Sequence, residues 1–419
     1  MNMLVIGIGE CGRNITIQMY YQLSSMRYKY LIKNFDFFVT DTEDSLRIIQ
    51  DIKRKGIPTE AINPGKFDEK IKPLNLFALS SKLLSGVGGA WITSSEIAKK
   101  FFQQKEGENK QYLDFLNLPI KYCECFNIFN SAGGGTGSGA GPVFLEYLYK
   151  NAEDSSRKLF TATIVLPFKK EGGNWRDMNS AINISRYSRL CDGIIIADNE
   201  FMQDKLKSDI KTVQNSINEL LGNIWMWMNA CSSPQLIITP KRWEGSDIKR
   251  NFRFGNNGSL IVPCFREEPV EKLRRISLKW IVLRTIRENC AAKCLPDTSK
   301  RILILASLPD KEVCPVSESD VADYISSELF RGKGSAIDVI FIRGKAMQNV
   351  SVTALLISPE IPRLKELNET FRAYMENPST LEKDMVGQIQ QNSQEDLMSY
   401  YRIEYENFQK YLYDLKSLG

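Results

Sequence analysis

Gly133-Gly134-Gly135-Thr136-Gly137-Ser138-Gly139 is the stretch on which the reading of this chain turns. Five of its seven residues are glycine, and it sits between an apolar strand pattern, Cys125 to Phe129, and a helical pattern, Pro142 to Tyr149. Glycines between a buried strand and a helix start let the backbone come close to a ligand and aim N–H groups at it. The helix dipole favours an anion there, and Thr136 and Ser138 add hydroxyl donors without bulk, so the guest that suits this turn is a phosphate chain. A glycine linker has the same composition, but linkers are not normally flanked on both sides by patterned apolar segments. No Gly-x-x-x-x-Gly-Lys-Ser/Thr occurs in the chain, so this is not a Walker A loop.

Upstream, Met3 to Ile8 is an apolar run that stops at Gly7-Ile8-Gly9-Glu10-Cys11-Gly12-Arg13-Asn14, after which Ile15, Met19 and Leu23 repeat at helical spacing. This strand, turn and helix satisfies the dinucleotide pattern Gly-x-Gly-x-x-Gly. Phe35 to Val39 reads as a second strand, with Thr40 to Asp44 at its carboxyl end, where open α/β sheets collect ligands. Asp41 and Asp44 there could hold Mg²⁺ through water, or belong to a solvated turn; the residues favour neither. Residues 53–82 form a polar insertion with Pro58, Pro64 and Pro73, ending in a third glycine patch, Ser85 to Ala90, before a helical stretch from Ser94 to Gln104.

Gly133 to Gly139 resembles the signature loop of the tubulin/FtsZ superfamily. Gly9, Cys11, Gly12 and Asn14 take matching positions in that family's first nucleotide loop, Glu10 lying between them, and Gly88, Gly89 and Ala90 resemble the loop that senses the terminal phosphate. Pro167-Phe168-Lys169-Lys170-Glu171-Gly172 is similar to an FtsZ-type ribose loop, with Arg176 and Asn179 following it. Asp198-Asn199-Glu200 is similar to the tubulin sequence, and Asn199 and Asn218 match the positions that read guanine. An amide can flip and serve adenine as well, so GTP rather than ATP is implied by the resemblance and not by the residues. Glu244 and Asp247, three apart, match the acidic pair of the catalytic loop, which acts on the nucleotide of the neighbouring subunit; read alone, such a pair is a solvated helix start.

Composition narrows the alternatives. The 419 residues, 43% hydrophobic, suffice for two or three globular domains, and no run of eighteen apolar residues occurs, which points to a cytoplasmic protein with no transmembrane segment. A net charge of +5 without a basic block gives no case for nucleic acid. Nine scattered cysteines suit free thiols in a reducing compartment; Cys290 and Cys294 resemble half a metal site with no second half. There is no histidine, so catalysis must rest on carboxylates, a hard cation and backbone dipoles.

Further along, Leu159 to Leu166 and Gly193 to Ala197 read as strands and Ser208 to Met228 as a long helix. Leu236 to Ile238 precedes the acidic pair, and Val270 to Ala292 reads as a helix with basic Arg274, Arg275, Lys279 and Arg284. Strand patterns follow at Ile302 to Ser307, Ile337 to Ile342 and Val350 to Ile357, with a helix near 317–330. The stretch Val352 to Leu367 resembles the archaeal CetZ branch. Leu397, Tyr401, Tyr405, Phe408, Leu412 and Leu415 form a stripe at helical spacing, capped by Ser393 and Asp396, that packs on its own domain or docks an accessory protein.

The expected fold is α/β. Residues 1–207 form a Rossmann-like GTP-binding domain with a mainly parallel sheet, 208–230 the central linking helix, 231–376 the catalytic loop and an α+β domain, and 377–419 a C-terminal helical extension. The resemblance implies a GTPase that binds GTP/GDP and Mg²⁺, held mainly through phosphates, and polymerises head to tail with itself, near the cell envelope, in CetZ-like cell-shape control. An FtsZ-like division role is the alternative within the family, as is a member that binds nucleotide and hydrolyses little. Outside it stands a dinucleotide-dependent oxidoreductase built on Gly7 to Gly12 and Asp41.

Overall fold

A computed structural model describes residues 1–24, 31–42, 74–79, 87, 90–103, 108–171, 173–232, 243–254, 257–309, 314–330, 336–343, 348–377 and 394–417. Eleven strands are described: β1 Met3–Ile8, β2 Phe35–Asp41, β3 Leu74–Ala78, β4 Cys125–Ser131, β5 Leu159–Leu166, β6 Gly193–Asp198, β7 Arg253–Phe254, β8 Asn257–Pro269, β9 Arg301–Leu308, β10 Ala336–Arg343 and β11 Asn349–Ile357. They form one sheet in the order β10-β9-β11-β8-β6-β5-β4-β1-β2-β3, with β7 paired to β8. From β3 to β6 every neighbour is parallel, and β8 joins β6 in parallel over Gly193 to Ile195. β11 runs antiparallel between β8 and β9. The same sheet therefore passes through both halves of the chain.

The helices are α1 Gly9–Ser24, α2 Trp91–Gln103, α3 Glu108–Tyr122, α4 Gly135–Asn151, α5 Trp175–Ser188, α6 Asn199–Leu206, α7 Ile210–Ala230, α8 Gly245–Phe252, α9 Leu278–Glu288, α10 Glu318–Ile325, α11 Pro362–Glu376 and α12 Gln394–Ser417. Strand periodicity divides them into two layers. Leu4, Ile6 and Ile8 of β1 face a core shared with α2 to α5 and α9 to α12. Met3 and Val5 face the other core, with α1, α6, α7 and α8. A sheet covered on both faces accounts for the nearly continuous burial along β1, β4 and β6, which in β4 includes Asn127 and Asn130.

The long helix α7 is capped by Asp209, whose carboxylate accepts from Thr212 N at 3.0 Å. Val213, Ile217, Leu221 and Ile224 are its buried stripe, as the spacing predicts, and Trp225 Nε1 donates to Thr163 Oγ1 at 2.9 Å, anchoring it to β5. The C-terminal stripe packs on its own chain: Tyr401 and Phe408 are fully buried, and Tyr405 meets Phe371 of α11 with ring centroids 5.1 Å apart.

The structure departs from the sequence reading at two places in the second half of the chain. Val270 to Ala292 is not one helix: a 3₁₀ turn, Val270–Arg274, gives way to α9, which Ser277 caps by accepting from Trp280 N. Strand β8 was not read at all, because Pro263 and the charged end Arg266-Glu267-Glu268-Pro269 break its apolar pattern. The expected strand at Leu236 to Ile238 and the Ser393 cap lie outside the described residues, as does most of the 53–82 insertion.

Candidate functional site

The carboxyl ends of β1, β4, β5 and β6 turn into the starts of α1, α4, the 167–171 loop and α6, so the candidate residues gather along one edge of the sheet. Gly9 takes a φ of +72°, a conformation that glycine adopts without strain. A Cβ on Gly9 would lie 3.4 Å from both Thr136 and Gly137, so the first and second glycine turns touch. Gly12 lets α1 lie against β4, where a Cβ would come within 1.9 Å of Phe129 O.

The glycine run is a helix start rather than a free loop. Helix α4 begins at Gly135, well before the expected Pro142, and Gly134 is its N-cap. The first-turn N–H groups of a helix have no intrahelical acceptor. The loop carbonyls, by contrast, are drawn toward α5. Asn179 Nδ2 donates to Gly133 O at 3.4 Å, Asn183 Nδ2 to Ser138 O at 3.2 Å, and Arg186 Nη1 to Ser138 O and Gly139 O, each at 3.3 Å. As the first turn of α4, residues 135–137 direct their amides back toward the helix N-terminus, an anion-binding arrangement. The Ser138 hydroxyl does not point outward as expected: Ser138 is buried and its Oγ donates back to Gly134 O. Thr136 Oγ1 sits 2.8 Å from Thr42 Oγ1 at the end of β2.

On the next side of the cleft, Glu171 and Arg176 approach to 3.5 Å. Burial lifts the Glu171 carboxyl above its ordinary range against the pull of Arg176, and the charge of Glu10 adds to the rise. Cys11 lies in the same place: burial first, then Glu10 and Glu171, push its thiol up to about 12. Asn199 is 8% exposed, and its Oδ1 has no hydrogen-bond partner among the described residues. The 167–171 loop is tied to it through Lys169 N, which donates to Glu200 Oε2 at 3.0 Å. Helix α7 runs beside α1, with Met19 against Gly222 and Gln22 Nε2 donating to Asn223 Oδ1 at 3.4 Å. That register places half-buried Asn218 within about one turn of Asn14.

Asp198 caps α6, accepting from Glu200 N at 3.0 Å. Burial, the largest cause, raises its carboxyl from 3.8 to about 6, against Arg363 and the N–H groups of Phe201 and Glu200. The native state therefore holds a proton that the unfolded chain has lost between roughly pH 4 and pH 6, and stability from this group falls as pH rises through that window. Asp198→Asn keeps a cap acceptor and removes the dependence. Urea unfolding should find the two proteins equal near pH ~4 and the variant more stable by on the order of 2 kcal/mol near pH ~7.

Asp41 is placed differently from its expected role. It is 3% exposed, its Oδ2 lies 3.4 Å from Arg13 Nη1, and its Oδ1 accepts from Thr42 N at 2.8 Å. A carboxylate engaged in this way is withheld both from a water-held cation and from a dinucleotide ribose. Asp44, Gly88 and Gly89 lie outside the described residues. Ala90 leads into Trp91, which starts α2. Trp91 is held between Arg186, 5.1 Å from its ring centroid, and Tyr401 of α12, which accepts from its Nε1 at 3.3 Å. Sequence reasoning missed Arg13, Arg186 and this contact because their partners lie 28 to 310 residues away.

The acidic pair sits at the opposite edge. A Cβ on Gly245 would lie 3.5 Å from Glu124 O and 3.7 Å from Met1 Sδ, at the starts of β4 and β1. Glu244 is exposed and Asp247 half-buried, and Asp247 Oδ2 accepts from Glu244 N at 3.1 Å. The six-residue β1 separates this edge from Gly9 by roughly 20 Å. Glu244 and Asp247 therefore cannot reach a ligand held by their own subunit's glycine turns. Among the described residues no group of three or more Cys, Asp or Glu could hold a metal, and no helix is long and apolar enough to cross a membrane.

A family model described as "Tubulin/FtsZ family, GTPase domain" matches residues 2–207. "Tubulin-like protein CetZ" of Pyrococcus abyssi is 31% identical over 296 residues, 69% of this chain and 67% of that protein. Its namesake in Pyrococcus horikoshii is 26% identical over 255 residues, 57% of this chain and 66% of that protein. The matched regions thus span about two thirds of these relatives' own lengths. The structure of "CetZ2 from Haloferax volcanii - GTPγS bound protofilament" superposes with a TM-score of 0.68 at 14% identity, covering 90% of this chain and 100% of that one, a likeness of fold.

Proposed function

The chain belongs to the tubulin/FtsZ family, and from that premise we propose that it binds GTP at the glycine-lined edge, assembles head to tail, and hydrolyses GTP where two copies meet. The observation that carries this reading is the placement of Glu244 and Asp247 at the sheet edge opposite the cleft. Stacking two copies in one direction brings the acids of one over the cleft of the next, a heterologous contact that does not close and so makes filaments.

In such a contact the amides at the start of α4, with Gly9 and Gly12 allowing close approach, hold the phosphates. Glu171 accepts from ribose hydroxyls, and the buried Oδ1 of Asn199, with Asn218 and Asn14 nearby, accepts from the base. Glu244 and Asp247 of the next subunit orient the attacking water. With Asp41 engaged by Arg13, a magnesium ion would be carried chiefly by the phosphates, where it neutralises their charge. We further propose a cytoplasmic filament near the envelope with a part in cell shape, a reading that the CetZ likeness supports.

The test is enzymatic. GTP turnover per subunit should rise with protein concentration as interfaces form, and electron microscopy should show filaments with GTP or a slowly hydrolysed analogue. A turnover per subunit that stays constant while concentration is raised through the assembly range would remove the composite site.

A further inference from the structure

Cys264 of β8 and Cys290 and Cys294, which follow α9, converge in the fold. Cys264 Sγ lies 3.2 Å from Cys290 Sγ, and Cys294 Sγ lies 3.8 Å from Cys290 Sγ. Cys264 is fully buried, Cys290 is 6% exposed and Cys294 is half-buried. The approach of the first two is built by the backbone. Cys264 and Cys290 face each other in an antiparallel bridge. It is flanked by Ala291 N donating to Pro263 O at 2.8 Å and Phe265 N donating to Asn289 O at 3.4 Å.

Those flanking bonds make Cys264 and Cys290 a non-hydrogen-bonded pair, in which Cα atoms sit about 4.5 Å apart with their side chains turned together. A disulfide accepts Cα separations of about 4.4–6.8 Å, so this pair can close by drawing its sulfurs together without moving the backbone. Electrostatics divides the roles. Hydrogen bonds from the Cys264 and Cys294 thiols, then the Lys205 ammonium, hold the Cys290 thiol well below its ordinary range. Burial pushes Cys264 the other way and keeps it protonated. Lys205 Nζ also donates to Cys290 O at 3.3 Å. Cys290 Sγ also donates to Ile286 O at 3.0 Å, so the thiol is held in place at rest, and once ionised it is a nucleophile next to its resolving partner.

We propose that Cys264 and Cys290 are a redox-modification site at which a hydroperoxide forms a reversible disulfide. The Cys290 thiolate attacks the terminal peroxide oxygen. The O–O bond breaks, and the departing alkoxide or hydroxide takes a proton, leaving Cys290 as the sulfenic acid. Cys264 sulfur then attacks Cys290 sulfur; the S–O bond breaks and hydroxide leaves with the Cys264 proton as water. Two thiols are oxidised and one peroxide is reduced. The staple fixes the segment whose Ala291 O accepts from Asp198 N at 2.9 Å, so it braces the strand end that carries Asn199.

Hydrogen peroxide applied to the native full-length protein tests this. Thiol titration in denaturant should fall by two, a non-reducing digest should join the Cys264 and Cys290 peptides in mass spectrometry, and dithiothreitol should restore both. Cys294→Ala should still form the link, with its rate profile moved to higher pH, since Cys290 loses a hydrogen-bond donor. Retention of all nine titratable thiols, a link between Cys290 and Cys294 instead, or a stable sulfinic acid at Cys290 would each overturn the assignment.

Discussion

Asp247→Asn should leave GTP binding and assembly as they are while turnover per subunit falls on the order of 10²–10⁴-fold, the range lost with a group that handles a reacting proton or water. Asparagine is chosen because Asp247 also closes the first turn of α8, its Oδ2 accepting from Glu244 N. Alanine would remove that acceptor and cost about 1 kcal/mol of helix stability, clouding a loss of activity with a loss of structure. Asparagine keeps an acceptor and removes the charge, so a fall in turnover at unchanged Tm isolates the chemistry. The composite geometry adds a second arm. A subunit whose cleft is disabled by Asn199→Ala with Asn218→Ala still carries intact acids, and mixing it with Asp247→Asn should restore activity above that of either alone. Unchanged turnover in Asp247→Asn, or loss of nucleotide binding with it, would assign α8 a structural part.

How much of this was legible beforehand depends on how far apart the partners are. The strand-turn-helix units at Met3 and at Cys125 announce themselves, because periodicity and glycine are local signals. The acids of α8 were readable as a family match, but their position became meaningful only when Gly245 was seen beside Met1 and Glu124. The burial of Asp41 was not legible, since Arg13 neutralises it from another element. Nor was β8 legible, which joins the halves of the sheet despite a proline in its middle. The C-terminal stripe shows why a face can be read while its partner cannot. Its spacing revealed an apolar side, but nothing local said that Tyr401 would meet Trp91 across 310 residues.

The glycine run itself makes the second large prediction, because its members do different work. Gly139→Ala should destabilise the protein by about 3 kcal/mol or more, measured by urea unfolding. An added Cβ would lie 2.1 Å from Trp91 O and 2.8 Å from Ser94 Cβ. Helix α2 has little room to retreat: Trp91 is wedged between Arg186 and Tyr401, and Ser94 Oγ donates to Thr136 O at 3.1 Å. Gly134→Ala meets nothing nearer than Ser131 at 3.7 Å, and its φ of −80° is open to alanine. It should fold, losing about 1 kcal/mol at the helix cap, and show its defect in GTP affinity, because the new methyl stands where the phosphates approach. A Gly139→Ala protein as stable as the parent would mean that α2 and α4 do not pack this closely. Equal GTP affinity in Gly134→Ala would mean that the phosphates lie elsewhere. The two substitutions therefore separate glycine kept for packing from glycine kept for the ligand within one run of seven residues.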